Sequence, residues 1–178
     1  MLNKLKMMFR GEKSTEELIK RGLRVGENFH RQEGVKIDYG FAYLITIGNH
    51  VTLGPGTVIL AHDASTKMLF GKTKIGCVEI GDNVFIGANS LILPNVNIGN
   101  NVIVGAGSIV THDLKDDGIY VGNPARFVGK IEDYISKYDE IRKSNTFSLD
   151  EIAKGGDVLG ASQETIRNRL KGTFGFVD

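Results

Sequence analysis

Apolar residues recur at every sixth position through the middle of the chain, in six consecutive hexads that each begin with Ile or Val. Neither an α-helix nor an amphipathic strand produces an apolar period of six, so the pattern predicts a repeat architecture. Gly is frequent in the second place of the hexads, and small or β-branched residues fill the fifth. The hexads begin at Ile80, Ile86, Ile92, Ile98, Val104 and Val110, and a shorter run in the same phase begins at Ile47, Leu53 and Ile59.

This period predicts a solenoid in which each hexad supplies one short strand and one tight turn, and three hexads close a triangular coil. The first-position side chains then point inward and stack on residues eighteen positions away, as Ile80 would on Ile98. Stacked coils bury an apolar edge that one coil cannot bury alone. Gly and Asn suit the corners because they reach the necessary backbone angles at little cost. A sandwich of short strands is the alternative.

The hexads and four longer motifs resemble the hexapeptide-repeat acyltransferases, in particular the galactoside, maltose and cell-surface polysaccharide O-acetyltransferases. The resemblance runs from about Val25 to Lys130 and implies a left-handed parallel β-helix. The fold class expected is therefore mainly β, with a short N-terminal helix and a helical C-terminal tail. The four motifs are His62-Asp-Ala-Ser-Thr-Lys, Thr73-Lys-Ile-Gly, Gly105-Ala-Gly-Ser-Ile-Val-Thr and Gly122-Asn-Pro-Ala-Arg.

Three segments are expected along the chain: residues 1–24, the acyltransferase domain at 25–130, and a helical tail at 131–178. In the first, Ser14 and Glu17 form a capping box and Gly22 suits a helix end. Seven Lys or Arg against three Glu make this segment basic. It could touch an anionic membrane surface. We favour the alternative, in which it packs against the solenoid end or a neighbouring subunit.

The tail carries two stretches with helical patterns and a second capping box, and we expect it to cap the last coil. An open solenoid end would otherwise expose strand edges and core. The tail also loosely resembles the tails of some polysaccharide acetyltransferases. The stretches run from Ile131 to Lys143 and near Gln163–Lys171, and the capping box is Ser148-Leu-Asp-Glu151.

Composition narrows the class of protein further. The chain has 178 residues and a formal net charge of +1, which gives no electrostatic case for a nucleic-acid partner. Its one cysteine, Cys77, suits a reducing compartment. No apolar run approaches the roughly 20 residues that span a bilayer, and the start does not have the pattern of a signal peptide. We expect a cytoplasmic protein without a transmembrane segment.

The repeat breaks where the chemistry is expected. Ile59 and Ile80 are 21 residues apart, which six does not divide, so an excursion loop at residues 63–74 must leave the coil. Irregular loops on rigid scaffolds often carry function. Asp63 falls in the fifth place of its hexad, where the neighbouring hexads have Val, Thr or Ser, and a carboxylate there contradicts the packing rule.

His62 lies at the base of this loop and is the candidate catalytic base. Acetyl transfer from a thioester to a hydroxyl needs a base for the hydroxyl proton, and imidazole titrates near working pH; the resemblance also places the family's catalytic His here. Asp38 lies in a second break, and the resemblance suggests that it binds acceptor hydroxyls, although it could equally form a turn. Asp63 could orient His62 or bind substrate.

The resemblance also implies a coenzyme A groove between parallel solenoids and therefore a homotrimer with active sites at the interfaces. Backbone amides and small side chains would line the pantetheine arm, and basic residues would pair with phosphates. His112 could equally be a solvated turn residue. The resemblance maps the coenzyme contacts onto Ala88, Ala106, Thr111, His112 and Arg126, and Lys130 joins them by its charge.

The leading hypothesis is an acetyl-CoA-dependent O-acetyltransferase acting on a sugar hydroxyl of a surface polysaccharide or its precursor. Acetylation of an antibiotic or aminosugar by the same chemistry is a second option. A γ-type carbonic anhydrase shares the fold but needs three imidazoles around a metal, and the sequence has no His pair with H-x-x-x-x-H spacing; no metal is expected. A non-catalytic β-helix subunit would need neither His62 nor its loop.

Overall fold

The computed structural model describes residues 12–148 and 160–177. The chain divides into two compact units, Met1–Ile131 and Glu132–Asp178. The first is a parallel β-helix with three faces, each a sheet of strands from successive coils. Face 1 contains β1 (Arg24–Val25), β4 (Ile45–Ile47), β9 (Val78–Ile80) and β12 (Val96–Ile98). Face 2 contains β2 (His30–Arg31), β5 (Thr52–Leu53), β10 (Phe85–Ile86), β13 (Ile103–Val104), β15 (Gly118–Val121) and β16 (Arg126–Lys130). Face 3 contains β3 (Lys36–Ile37), β6 (Val58–Ile59), β11 (Leu91–Ile92) and β14 (Ile109–Val110).

The strand register confirms the predicted stacking of coils. Ile80 pairs with Ile98 on face 1, in parallel. On face 2, Ile86 pairs with Val104 in the same way. Each pair is eighteen residues apart, so three hexads close one coil, and the predicted mainly β solenoid is the observed fold.

The solenoid interior is built from the first and fifth places of the hexads. Ile86, Ile92 and Ile98, at first places, have no exposed surface. At fifth places, Thr57 and Ser90 are equally buried, and their hydroxyls donate to the carbonyls of Gly87 and Gly105. Truncating a buried Ile to Ala typically destabilises a protein by about 2–5 kcal/mol. The period of six therefore arises because two side chains of every hexad, those at the first and fifth places, point into the solenoid.

The corners use Gly and Asn for two different purposes. The fourth place of the hexads takes the left-handed backbone conformation, as at Asn83 with φ +57° and Asn101 with φ +53°. The second-place glycines instead allow close approach of the coils: a Cβ on Gly87 would lie 2.4 Å from the backbone nitrogen of Ala106. The expectation that Gly provides the corner angles thus holds at fourth places such as Gly56 and Gly107, which have positive φ. At the second place, Gly is required because a side chain would clash with the next coil.

A short helix, α1 (Thr15–Lys20), precedes the first coil. Ser14 and Glu17 form the predicted capping box, with each side chain bonded to the other residue's backbone nitrogen. Gly22 follows the helix with φ +94°, and Leu18 is fully buried. These contacts fix the helix to the beginning of the solenoid. The basic residues among positions 1–11, on which the membrane interpretation partly depends, lie outside the described residues.

The excursion loop leaves the corner after face 3 and returns to face 1. β7 (His62–Asp63) and β8 (Lys74–Ile75) pair in antiparallel fashion, and α2 (Lys67–Phe70) follows a 3₁₀ turn at Ala64–Thr66 between them. Ile47 therefore pairs with Ile80, 33 positions further on, rather than with a residue eighteen positions away. The irregular segment is a short hairpin that carries a helical turn at its tip.

The last coil ends in a change of strand direction. β15 continues the parallel order of face 2, but β16 pairs with it in antiparallel fashion. Tyr120 of β15 is 7% exposed, and its ring lies 5.6 Å from the ring of Phe127 in β16. The antiparallel strand β16 thus covers the edge of face 2 from within the first unit.

The second unit follows the end of β16. It comprises most of α3 (Ile131–Ser144), then β17 (Thr146–Phe147), α4 (Gly160–Arg169) and β18 (Phe176–Val177). β17 and β18 form a parallel pair, and Phe147 is 2% exposed beneath the Arg169 guanidinium. Both predicted helices are present, with the second beginning at 160 rather than near 163. Most of the predicted capping box at 148–151 lies outside the described residues, and the capping role of the tail stays a prediction.

Candidate active site

His62 forms a hydrogen-bonded pair with Asp38. Their side chains meet through the imidazole Nδ1 and the carboxylate Oδ2. Asp38 follows β3, and its backbone nitrogen donates to the carbonyl of Ile59 at 2.9 Å, which places it beside the strand that leads to His62. The carboxylate side chain is 4% exposed, whereas the imidazole is 38% exposed. The pair therefore has a buried anchor and an accessible ring.

The carboxylate of Asp38 is held by backbone donors as well. Oδ2 accepts from the nitrogen of Ala61 at 3.1 Å, and Oδ1 accepts from the nitrogen of Phe41 at 3.3 Å. An ionised carboxylate only accepts hydrogen bonds, so Nδ1 of His62 must be the donor in the pair. In the neutral ring this leaves the Nε2 lone pair available to take a proton.

Phe41 also restricts the imidazole. Its ring centroid lies 5.0 Å from that of His62, with 34° between the planes. The aromatic ring lies in a segment that leads into the 3₁₀ turn Ala42–Leu44, at the break in the hexad pattern between Ile37 and Ile47. Both irregular segments of the solenoid thus contribute to one site: the first supplies Asp38 and Phe41, and the second supplies His62.

Asp63 bonds within the hairpin, where its carboxylate ties the two ends together. Oδ1 accepts from the nitrogen of Ser65 at 2.9 Å, and Oδ2 lies 2.9 Å from Nζ of Lys74. Hydrogen bonding from Ser65 and then from Lys74 holds the pKa of the Asp63 carboxyl well below its usual range. This contribution to loop closure is present above the pKa of an unfolded Asp and is lost only as the pH falls through the lower folded value.

The two carboxylates have different surroundings, which bear on the roles that the sequence left open for them. The resemblance suggested an acceptor-binding role for Asp38, and adjacency suggested that Asp63 could orient His62. In the structure the Asp38 carboxylate contacts the imidazole of His62, while that of Asp63 bonds to Ser65 and Lys74 within the loop, and the acceptor-binding role stays a prediction for both. The second phase break, between Ile37 and Ile47, marks the segment of Asp38 as irregular, but it does not indicate the contact with His62.

Two of the predicted coenzyme residues lie at the corner between faces 2 and 3. Ala88 and Ala106 follow β10 and β13, and the nitrogen of Gly107 donates to the Ala88 carbonyl at 2.8 Å. Ala106 is exposed and Ala88 is partly exposed. Both side chains at this corner are single methyl groups, so neither projects far from the backbone.

Three other predicted coenzyme residues meet at the opposite edge of face 3. The Thr111 hydroxyl lies 3.1 Å from Nδ1 of His112, and an Arg126 guanidinium nitrogen lies 3.4 Å from Nε2 of the same ring. All three are exposed. Since β14 stacks on β11 and β11 on β6, this cluster shares its corner with His62. A guanidinium beside an imidazole is suited to an anion such as phosphate.

Lys130 lies apart from this cluster. It ends β16 opposite Gly118, while Arg126 begins the same strand. Four residues of extended strand separate the two backbones by about 13 Å at roughly 3.3 Å per residue. The structure therefore groups Arg126 with Thr111 and His112 and places Lys130 at the far end of the strand.

The remaining histidines lie outside the site. His30 is exposed on β2, and His50 occupies a corner with φ +56°, 3.3 Å from the amide nitrogen of Asn28. In residues 12–148 and 160–177, His, Cys, Asp and Glu form no group of three that could hold a metal ion. Across the same ranges, no helix has the length and apolar character needed to cross a bilayer.

The class of protein follows from comparison with known families, once the parallel β-helix and its His62–Asp38 pair are described. The family model for the bacterial transferase hexapeptide, described as six repeats, matches residues 77–112. Protein CapG of Staphylococcus aureus is 44% identical over 138 residues, which cover 75% of this chain and 80% of CapG. The chain belongs to the hexapeptide-repeat transferase family, and it is an acyltransferase.

Two solved structures show the same fold. A hexapeptide-repeat acetyltransferase of Vibrio cholerae, complexed with acetyl coenzyme A, is 31% identical with a TM-score of 0.56, covering 62% of this chain and 61% of that one. A maltose O-acetyltransferase of Clostridium difficile is 29% identical with a TM-score of 0.53, covering 72% of this chain and 83% of that one. The expected left-handed parallel β-helix is therefore confirmed.

Proposed function

We propose that this protein transfers an acetyl group from acetyl-CoA to a hydroxyl of a saccharide, a surface polysaccharide or its precursor. The observation that carries the proposal is the hydrogen bond between His62 and the buried Asp38 at the base of the excursion loop. The Vibrio cholerae relative is complexed with acetyl coenzyme A, and the Clostridium difficile relative is a maltose O-acetyltransferase. The first supports acetyl-CoA as the donor, and the second supports a saccharide hydroxyl as the acceptor. The single cysteine supports a cytoplasmic location, where acetyl-CoA is available.

The reaction would proceed by direct transfer with His62 as general base. The acceptor hydroxyl oxygen attacks the thioester carbonyl carbon while its proton passes to Nε2. The tetrahedral intermediate then collapses, the carbon–sulfur bond breaks, and Nε2 returns the proton to the departing thiolate. Asp38 keeps Nδ1 protonated and stabilises the positive charge that the imidazole acquires. Atoms and charge balance, with an acetyl ester and coenzyme A as products.

The coenzyme would lie along the corners of face 3. The exposed backbone around Ala88 and Ala106 suits the amides of a pantetheine arm, because no large side chain from these two positions projects there. His112 and Arg126 would receive a phosphate group through charged hydrogen bonds. Thr111 supports the pair through its contact with His112. Lys130, at the other end of β16, would contact a more distant part of the ligand.

The test is thiol release from acetyl-CoA by the purified full chain, measured with a panel of sugars, aminosugars and antibiotics. We expect a sugar to stimulate release and His62→Ala to lower kcat by about 10²- to 10⁴-fold, the usual worth of general-base catalysis. Binding of coenzyme A, followed by calorimetry, should be unchanged. His50→Ala is the matched control, since His50 lies at a corner away from the dyad, and it should retain kcat.

Wild-type turnover in His62→Ala would contradict the mechanism. If only aminosugars or antibiotics stimulate thiol release and the product is an amide, the acceptor group is an amine and not a sugar hydroxyl. Absence of thiol release with every acceptor, together with no coenzyme binding, would favour a non-catalytic assembly subunit.

A further inference from the structure

An aromatic side chain lies beside the imidazole of His62, and two basic side chains lie over Tyr39, the residue that follows Asp38. The ring of Phe41 lies 5.0 Å from the imidazole, and the ring of Tyr43 lies 6.3 Å from that of Phe41. Tyr43 is 50% exposed. Since aromatic side chains commonly line ligand sites, these rings provide a surface next to the accessible edge of the catalytic base.

Two cations converge on Tyr39, the residue that follows Asp38. The guanidinium carbon of Arg21 lies 4.4 Å from the ring centroid, and Nζ of Lys13 lies 4.9 Å from it. Both basic residues are exposed, and Tyr39 is partly buried against the core. Together Lys13, Arg21, Tyr39, Phe41 and Tyr43 form what we call the aromatic–basic patch.

The fold brings the basic residues to this place through α1. Arg21 caps the C-terminus of the helix, and Gly22 then turns the chain with φ +94°. A Cβ on Gly22 would lie 2.7 Å from Cβ of Tyr43, so the helix end is pressed against the aromatic segment. The close packing of Gly22 against Tyr43 therefore fixes the position of Arg21. Tyr43 belongs to the same irregular segment as Asp38.

Among the residues that the structure describes, Lys13 and Arg21 contact an aromatic ring and no carboxylate at ion-pair distance. Within the described residues no carboxylate forms an ion pair with Lys13 or Arg21, and neither side-chain cation donates a hydrogen bond. Arg31 shows the contrasting structural arrangement, because its guanidinium donates to the carbonyls of Lys13 and Val35 at 2.8 and 2.7 Å. Two like charges within 5 Å of one ring repel each other, and an anion bound close to both would offset that repulsion.

We infer that the acceptor is a negatively charged saccharide, whose anionic group binds Arg21 and Lys13 while its ring packs on Phe41 and Tyr43. The inference rests on the proposed function and names the substrate class of the same site. A guanidinium fork pairs well with a carboxylate or a phosphate. Anchoring the anion at Arg21 would leave a hydroxyl of the same or the next sugar free to reach Nε2 of His62.

The experiment compares neutral acceptors with charged ones that are altered only at C6, where a carboxylate or a phosphate ester replaces the free hydroxymethyl group. Thiol release is measured with glucose against glucuronate, galactose against galacturonate, and glucose against glucose 6-phosphate, with the full chain and saturating acetyl-CoA. We expect kcat/KM to be about 10- to 100-fold higher for the charged member of at least one pair, the range that charged hydrogen bonds provide. The uronates and the phosphate distinguish a carboxylate from a phosphate as the recognised group.

Arg21→Gln should raise KM for the acidic acceptor by about tenfold or more, because it removes a charged hydrogen bond. It should leave kcat and the KM for acetyl-CoA close to wild type. Lys20→Gln is the matched control: Lys20 is an exposed cation of the same helix and does not lie over Tyr39. Arg21→Lys keeps the charge and should recover part of the affinity, and thermal unfolding of each variant shows whether the fold is intact.

Equal kcat/KM for acidic and neutral acceptors would overturn the inference, as would equal losses for both in Arg21→Gln, which would assign Arg21 a structural role only. Either result leaves His62-dependent transfer to neutral sugars intact, so the proposed function would stand. If no acceptor supports thiol release that depends on His62, the proposed function fails and the inference fails with it.

Discussion

At the scale of single residues, the burial of the Asp38 carboxylate is the feature of the site that most needs a physical explanation. A buried carboxylate is unfavourable unless its hydrogen bonds are satisfied. Asp38 meets this condition through His62 and the backbone nitrogens of Ala61 and Phe41. The same bonds fix the carboxylate in one orientation, and this orientation selects the tautomer of the imidazole. We therefore regard Asp38 as the positioning residue for His62.

Asp38→Asn should lower kcat by about 10²- to 10⁴-fold, since an amide of the same shape cannot hold Nδ1 protonated as reliably. Steady-state kinetics should show little change in KM for acetyl-CoA. Asp63→Asn is the control carboxylate one residue from His62, and we expect a much smaller loss of kcat because Asp63 bonds only within the loop. Full activity in Asp38→Asn would show that the imidazole needs no orienting partner.

The sequence singled out both residues of this pair as site candidates but did not predict the contact between them. His62 stands in a local motif at a phase break, both of which can be read from neighbouring positions. The contact with Asp38 spans 24 residues, and it depends on how the irregular segment after Ile37 stacks on the coil that contains Ile59. Hexad spacing does not define the path of a segment that lacks hexads, so the pairing could not be derived.

At the scale of elements, the excursion loop combines a fixed base with an apolar tip. The Asp63–Lys74 ion pair joins the two strands at its base. Met68, Leu69 and Phe70 at the tip are 88%, 69% and 71% exposed. Three adjacent large apolar side chains in water are unfavourable unless they contact a ligand or another chain. The loop tip is therefore a candidate surface for contact with a ligand or with another chain.

Replacing Ala64–Thr73 with a short Gly/Ser linker tests the role of this loop. Loop closure depends weakly on length, at about 0.6 kcal/mol per doubling, so the melting temperature should change little. Transfer to the acceptor should fall, and hydrolysis of acetyl-CoA should rise relative to transfer because water can enter. The comparison of thiol release with acetylated product measures both. Met68→Ser with Phe70→Ser keeps the loop length and separates the effect of the apolar tip.

Transfer at the wild-type rate after the replacement would show that the excursion only bridges two coils. A large decrease in melting temperature would show instead that the hairpin supports the solenoid.

The depressed pKa of Asp63 bears on the interpretation of acid titrations, because the loop base stays ion-paired below the usual titration range of a carboxyl. Activity lost at mildly acidic pH would thus not report an opening of the loop.

At the scale of the whole molecule, the period of six was sufficient to predict the solenoid because every coil repeats the same packing problem. The inward Ile and Val residues stack as the phase predicts, as Ile92 does on Val110. The coil's hand came from the resemblance and not from periodicity, since the stacking places the same residues inside in either hand. The path of the antiparallel strand β16 was also not predicted, because its residues follow no hexad.

The predicted homotrimer also concerns the whole molecule. It can be tested because the predicted coenzyme residues Ala88 and Ala106 and the predicted base His62 lie at different edges of face 3. Ala88 and Ala106 lie at one edge of face 3, while His62 lies at the other. If each active site joins the histidine of one subunit to the alanine corner of another, two different inactive variants can restore a site between them. The apolar loop tip would then pack on the neighbouring subunit.

His62→Ala and Ala106→Trp should each be nearly inactive, the second because the large ring blocks the groove. Refolded together in equal amounts, they should regain about a quarter of the wild-type rate, the share of interfaces that combine two intact halves in a closed ring. Light scattering of each protein should give the mass of three chains. A stable monomer at micromolar concentration, or mixed trimers without recovered activity, would mean that each chain carries a complete site of its own.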